Sequence, residues 1–313
     1  MTHTPRLSIG LPVYNGERYL AEAVESLLAQ TYQNFELIIS DNASSDGTEG
    51  ICRRYVAHDP RVIFIRQPRN LGCVPNHNFV LGQARGELFK WASHDDIYAP
   101  KLLQRCVEAL DTHPEAVLSH TGTSIIDNAG NRVRDIEYLL ATDSPHAPER
   151  FHSVLFGTGG DDFYGVIRTE VLRLAKPHAS YHHAERTLMA EIGLHGTFCV
   201  LPEQLYFRRD HVARAERANP TKRGRSINMD PRRANPWLHP TVRLLAEYVW
   251  GFAGAVRRAP ISAQDRRQCY AHLARWLASR AGSGLASRTS TNKTGSADAP
   301  LVVAEASRTA DGG

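Results

Sequence analysis

Three polar stretches follow directly on apolar runs, and each holds side chains suited to handling phosphates or sugars. They are Pro12-Val13-Tyr14-Asn15-Gly16, Ser40-Asp41-Asn42-Ala43-Ser44-Ser45-Asp46-Gly47-Thr48 and Ser93-His94-Asp95-Asp96. An aspartate closing a buried strand, such as Asp41, is placed to accept hydrogen bonds from a base or a ribose. Asp95 and Asp96 offer hard oxygen ligands for Mg2+ or Mn2+, cations that neutralise a diphosphate. Taken singly, stretches of this kind are turns and helix caps. What marks these three is a shared position, because open α/β sheets bind ligands beyond the carboxyl ends of their strands.

The elements that would hold them follow from hydrophobic spacing. Leu7–Val13, Phe35–Ser40, Val62–Ile65 and Leu88–Trp91 are short continuous apolar runs, the pattern of strands buried on both faces. Between them lie helical patterns: Leu20, Val24, Leu27 and Leu28 form one stripe, a second helix starts near Thr48 with Asp46 or Ser45 as its cap, and Phe79–Ala84 belongs to a third. Strand and helix alternating in this way predict an α/β domain with a mostly parallel sheet. Further on, the pattern predicts a helix over 100–112, a strand from Val117, and a hairpin turning at Asn128-Ala129-Gly130-Asn131. Residues 141–160, with Pro145 and Pro148, read as a loop-rich insertion ahead of a strand over Phe163–Ile167 and a helix over Ala184–Gly193. Residues 240–280 read as helical.

Composition removes several classes. The chain has 313 residues, 42% apolar and 22% charged, enough for a substantial core and unlike a disordered chain. Its five cysteines are scattered, with no Cys-x-x-Cys pair, so neither a disulfide framework nor a thiolate metal site is expected. No apolar run reaches membrane-spanning length and the opening residues lack a signal-peptide core, which predicts a cytoplasmic protein. Net charge is +4, with nine Lys or Arg against three acids between Arg208 and Arg233. That stretch is expected to be either a solvated loop or an anion-facing surface, including peripheral contact with an anionic membrane at its inner face. No recognition-helix or aromatic-interleaved pattern points to nucleic acid.

Four separated blocks together resemble the family 2 glycosyltransferases with the GT-A fold: Leu11-Pro12-Val13-Tyr14-Asn15-Gly16; Ile39 through Thr48; Asn70-Leu71-Gly72; and Ala84-Arg85-Gly86-Glu87 leading into Asp95-Asp96-Ile97-Tyr98. The resemblance covers about residues 6–211. It implies a single Rossmann-like mixed sheet flanked by helices, with a C-terminal helical extension. Residues 1–215 would form the glycosyltransferase domain, with a nucleotide-sugar-binding half at 6–120 and an acceptor half at 121–215. A basic loop and helical extension would occupy 216–280 and a disordered tail 281–313.

The resemblance also implies roles. Pro12, Tyr14, Asn15, Glu17, Asp41 and Asn70 would hold the nucleotide. The family's Asp-x-Asp cation motif aligns here with Ser93 at its first acidic position and Asp95 at its last, leaving Asp95 as the principal ligand of Mn2+ or Mg2+ with Asp96 beside it. An inverting transfer needs a base for the acceptor hydroxyl; Glu185, in His182-His183-Ala184-Glu185, occupies the corresponding place, with His183 as the alternative. Arg209 and His211, in Leu205-Tyr206-Phe207-Arg208-Arg209-Asp210-His211, would meet the donor phosphates. His182 and His183 are expected to diverge on a helix rather than share a metal. Gly157-Thr158-Gly159-Gly160 reads as a loop on the acceptor side. The implied reaction joins a nucleotide-diphosphate sugar to a glycan, lipid-linked or small-molecule hydroxyl. Two other readings are a sugar nucleotidyltransferase, which would carry a Gly-rich basic loop after the first strand, and a non-enzymatic protein that binds anions or membranes.

Overall fold

The structure is a computed structural model describing residues 4–157, 161–212, 214–219, 221–240 and 243–289. Its first part alternates strand and helix: β1 (Leu7–Val13), α1 (Leu20–Leu28), β2 (Phe35–Asp41), α2 (Thr48–His58), β3 (Val62–Arg66), α3 (Cys73–Gln83) and β4 (Leu88–Trp91). β1, β2 and β4 are buried along their whole length, which is why their sequences are unbroken apolar runs. α1 turns Leu20, Ala23, Val24 and Leu27 onto this sheet, each leucine contributing about 1.5–3 kcal/mol.

The second part comprises β5 (Ile97–Tyr98), α4 (Leu102–Thr112), β6 (Ala116–Ile126), β7 (Arg132–Ile136), α5 (Ala147–Phe156), β8 (Val166–Arg168), α6 (Thr169–Leu174), α7 (Ala184–His195) and β9 (Thr197–Arg209). After it come α8 (Ala215–Ala218), α9 (Lys222–Met229), α10 (Arg243–Arg258) and α11 (Ala263–Thr289). The strands form one mixed sheet in the order β3-β2-β1-β4-β8-β6-β9-β5, with β7 added to β6. The first four run parallel; β8 is antiparallel to both β4 and β6.

Register decides what meets at the sheet's carboxyl edge. Val13 lies opposite Asp41, Asp41 opposite Arg66, and Gly10 opposite Trp91. The loops after β1, β2 and β4 therefore emerge side by side. β9 runs parallel to β6 and antiparallel to β5, with Tyr98 opposite Tyr206. That pairing carries the end of β9 back to the acidic pair preceding β5.

Local structure departs from expectation in three places. Residues 147–156 of the expected loop are α5, whose Pro148 sits in the first turn, where a missing N–H costs nothing. Asp161–Tyr164 is a 3-10 turn and the strand after it is only Val166–Arg168, so the expected strand begins three residues late. The basic stretch after β9 is helical over Ala215–Ala218 and Lys222–Met229. Residues Met1–Ala274 form one compact unit in which α10 packs on α7. In the second unit, Arg275–Gly313, the described residues are helical to Thr289, so residues 281–289 of the expected tail are helix, and 290–313 lie outside the described residues. Thr158, Gly159 and Gly160 of the expected acceptor-side loop lie outside them too.

Candidate active site

The loops after β1 and β2 are stitched together by polar contacts. Asn15 and Ala43 both adopt left-handed backbone, with φ of 50° and 59°. The Asn15 N–H donates to Ser44 Oγ (2.8 Å) and its side-chain oxygen accepts from the Ser45 N–H (2.9 Å). Glu17 accepts from the Gly47 N–H at 2.9 Å and gives its own N–H to Asp46 at 3.0 Å. Asp46 also takes the Thr48 N–H (3.1 Å) from the position before the cap: the N-cap of α2 is Gly47, without a side-chain cap, and neither Asp46 nor Ser45 fills it. Asp41 is fully buried, one oxygen on Arg66 Nη1 (2.6 Å) and the other on the Ser44 N–H (2.9 Å).

Asn70 joins the same rim, accepting from Asn42 Nδ2 at 2.9 Å and from the Gly72 N–H at 2.8 Å. Gly72 needs to be glycine: its φ is +94°, and a Cβ there would lie 2.7 Å from Pro231 Cδ and 3.1 Å from the Met229 carbonyl. Pro12 is buried in β1, whereas Tyr14 is 46% exposed. Pro12, Tyr14, Asn15, Glu17, Asp41 and Asn70 are thus gathered at one edge. The polar atoms of Asn15, Glu17 and Asp41 brace the loops, and Tyr14 leaves an aromatic face open.

The acidic pair is divided by its surroundings. Asp95 Oδ2 lies 2.9 Å from His211 Nε2 and 3.6 Å from Arg214, while Ser93 Oγ donates to its other oxygen. Burial alone would raise this carboxyl, but the His211 contact, the charges of His94 and Arg214 and the Ser93 hydroxyl hold it far below the usual range. Asp96 accepts from the Tyr206 hydroxyl, from the Arg209 N–H (2.9 Å) and from Arg214 (3.2 Å). Burial and the neighbouring Asp95 charge push it up to about 6.

Among the described residues no three His, Cys, Asp or Glu side chains converge as a metal cage. Asp95 and His211 do converge, and such a pair fits a divalent cation whose other ligands come from a diphosphate and water. Asp96 faces Tyr206, Arg209 and Arg214 and is committed to them. Arg209, expected at the phosphates, is 1% exposed: it donates to the backbone oxygens of Asp95 (3.0 Å), Asp127 (3.2 Å) and Asn128 (2.9 Å) and pairs with Glu22 (2.5 Å). It lies over the ring of Tyr19, which also meets His211.

Glu185 sits in the first turn of α7, its side chain 29% exposed. His183 caps the helix in a left-handed conformation (φ 59°) and brings Nδ1 to 2.9 Å from Glu185 Oε1. Burial would raise Glu185, yet the His183 contact and the charges of His178 and His183 outweigh it, so its pKa lies below the usual value. His182 and His183 precede the helix, and their rings meet at 3.7 Å instead of diverging. A wall of rings links this acid to the sheet's carboxyl edge: Trp91 at the end of β4 stacks on Phe163 at 4.5 Å, Phe163 touches His178, and Trp91 Nε1 donates to the His77 carbonyl.

Three residues of the site escape a reading by motif, Glu22, Arg66 and Arg214, while Tyr206 stands in the Leu205–His211 block with no role read for it. Arg66 carried a weak signal as the cation closing a short apolar strand; the others are defined by partners far away in the chain. The basic stretch 208–233 is also less open than its composition suggests. Arg208 pairs with Asp161, Arg209 with Glu22, Arg214 with Asp95 and Asp96, Arg217 with Asp210, Arg232 with Asp230 and Arg233 with Glu247. Arg223 and Arg225 donate to the carbonyls of Ala234 and Asn219.

Comparison with known proteins bears on what this edge is. The family model for glycosyl transferase family 2 matches residues 8–173. An uncharacterised glycosyltransferase of Rickettsia typhi is 34% identical over 156 residues, covering 50% of this chain and 46% of the relative. The putative glycosyltransferase EpsE of Bacillus subtilis is 36% identical over 146 residues, covering 46% and 52%. The matched region thus spans about half the length of these curated relatives. Among solved structures, Staphylococcus aureus TarS 1–349 in complex with UDP-GlcNAc aligns with a TM-score of 0.53 at 17% identity, covering 82% of each chain. That is a likeness of fold.

Proposed function

The chain belongs to glycosyl transferase family 2, and from that premise we propose that it moves a sugar from a nucleotide-diphosphate donor to an acceptor hydroxyl with inversion. The observation that carries this reading is two differently held carboxylates, Asp95 in the loop after the strand that ends in Trp91 and Glu185 near His178, with the Trp91–Phe163–His178 ring contacts between them. Asp95 is kept ionised beside His211 at the donor edge, and Glu185 is kept ionised and partly open beyond Phe163.

The acceptor oxygen attacks the anomeric carbon, its proton passes to Glu185, and the bond from that carbon to the diphosphate oxygen breaks to release the nucleoside diphosphate. Tyr14 offers a stacking face for the base, above the rim braced by Asp41 and Arg66. Asp95 and His211 would hold Mn2+ or Mg2+, which when bound supplies positive charge to the leaving diphosphate. Arg214, already beside Asp95, adds a fixed cation nearby. Glu185→Gln should lower turnover by about 10²–10⁴-fold while nucleoside diphosphate binding persists. Unchanged turnover would overturn the base assignment, with His183 next in line. Thermal stabilisation by a panel of nucleoside diphosphates, with and without Mn2+, names the donor class and tests the cation. Family membership favours sugar transfer over nucleotidyl transfer, and a glycan, a lipid-linked sugar or a small hydrophobic metabolite is the acceptor class we propose.

We further propose that the enzyme works on the cytoplasmic side, against an anionic membrane. No helix among the described residues is long and apolar enough to cross one. Trp237 is 92% exposed, Leu238 and Trp250 are exposed, and Arg243 reaches back to the Leu238 carbonyl at 2.8 Å. Exposed indoles beside arginine suit a lipid headgroup layer. Flotation with acidic liposomes at low and high salt tests this; absence of binding at both refutes it, and Trp237→Ser with Trp250→Ser should abolish it.

A further inference from the structure

His178 lies in the loop before α7 and is 8% exposed, yet neither of its ring nitrogens has a hydrogen-bond partner among the described residues. A buried imidazole with both nitrogens unpaired is costly, and the fold makes an effort to hold this one. Asn78 of α3 clamps the His178 backbone in both directions, its amide donating to the His178 carbonyl (2.9 Å) and its oxygen accepting the His178 N–H (3.1 Å). Phe163 and His77 pack against the ring at 5.3 and 6.2 Å between centroids. Its Nε2 lies 4.0 Å from Glu185 Oε2.

The two oxygens of Glu185 are therefore held unequally. Oε1 is hydrogen-bonded to His183, and Oε2 has a buried imidazole nitrogen 4.0 Å away, a gap that closes with about 1 Å of side-chain movement. We propose that His178 is a positioning residue for the Glu185 carboxylate: with its proton on Nε2, it fixes the second oxygen as the acceptor hydroxyl arrives. This rests on Glu185 being the base. Burial and the charge of His77 push His178 down to about 4, so near neutral pH the ring carries the single N–H that the role needs, and it gains the charge that favours ionised Glu185 only in the acid range where that carboxyl titrates. The titratable groups bearing on Glu185 are His183 at its own helix start, His178 and Tyr181 in the preceding loop, and His77 on α3. Among the described residues His183 is the side chain already hydrogen-bonded to the carboxylate, at Oε1, so removing His178 takes away the donor that would close on Oε2.

The test does not need the natural substrate. Titration of the glutamate carboxyl carbons by NMR, with Glu185 identified by the signal lost in Glu185→Gln, is compared between wild type, His178→Phe and His178→Gln. Phe keeps the bulk and removes the donor; Gln keeps an N–H near the place of Nε2. The Glu185 midpoint should rise by about one pH unit in the Phe variant and return toward wild type in the Gln variant. The acidic limb of donor hydrolysis, read as nucleoside diphosphate released, should move with it. A Glu185 midpoint equal in wild type and His178→Phe overturns the proposal, as does a Gln variant no different from Phe. Melting curves for each variant confirm that the comparison is between folded proteins. If Glu185→Gln keeps its turnover, the base reading fails, an outcome separate from whether His178 moves the Glu185 midpoint.

Discussion

Arg209 gives the sharpest division between a residue that would bind the proposed donor and one that builds the proposed site. Its guanidinium is 1% exposed and its donors are spent on the Asp95, Asp127 and Asn128 carbonyls and on Glu22. Arg209→Met keeps most of the side-chain volume and removes all four contacts. Glu22 is half exposed, so its ion pair counts for little once solvent screening is allowed for. The turn carbonyls of Asp127 and Asn128 lie near the surface and can rehydrate in part, whereas the Asp95 carbonyl sits in the buried carboxylate cluster. Summing one full and two partial losses, at ~1–3 kcal/mol for each stranded acceptor, gives about 3 kcal/mol. For a unit of this size that is a fall in melting temperature of about 6–12 °C. Differential scanning calorimetry of Arg209→Met beside Arg214→Met measures it, with nucleoside diphosphate titrations on the same samples. A variant that melts within about 2 °C of wild type and loses only nucleotide binding would refute the reasoning and return Arg209 to the phosphates.

The pH dependence of stability carries opposing contributions. Burial pushes His120 and His178 down to about 4, below the ~6.5 of an unfolded histidine, so their stabilisation is complete above that value and is lost as pH falls from ~6.5 to ~4, by ~3 kcal/mol each. Asp162, pushed up to about 6 by burial, acts in reverse, and its contribution declines as pH rises from ~4 to ~6. His120→Asn should therefore flatten the slope of melting temperature against pH in this window and Asp162→Asn should steepen it; equal slopes would contradict the assignment. Ser93→Asp restores an acid at the first motif position, so Mn2+ alone should stabilise it more than wild type in a thermal-shift titration, while without metal the added charge beside Asp95 lowers stability by about 1 kcal/mol. An identical Mn2+ response in the two proteins would count against Asp95 as a cation ligand.

The amino-acid sequence determined the parallel half of this protein on its own. Strands buried on both faces must be continuous apolar runs, which made β1, β2 and β4 legible, and α1 and α2 began where their apolar stripe and turn placed them; β3 is a half-buried edge strand, and α3 starts at Cys73, well before the Phe79–Ala84 stretch that marked it. The three loops at the sheet's carboxyl edge were legible for the same reason, since strand ends fix where a parallel sheet opens. Composition misled where local rules depend on position: Pro148 reads as a breaker yet opens α5, and His182 and His183 diverge only if they lie in a helix, which they do not. Tertiary structure alone decided which charges are available. Glu22 and Arg209 are 187 positions apart and Asp96 and Arg214 are 118 apart, distances over which no spacing rule operates. Pairings of that kind took Arg209 and Asp96 into the framework and left Asp95, His211 and Arg214 together at the sheet's carboxyl edge. They also placed His178 against Glu185 through a loop clamped by Asn78, because burial and pairing belong to the folded surface and not to the order of residues along the chain.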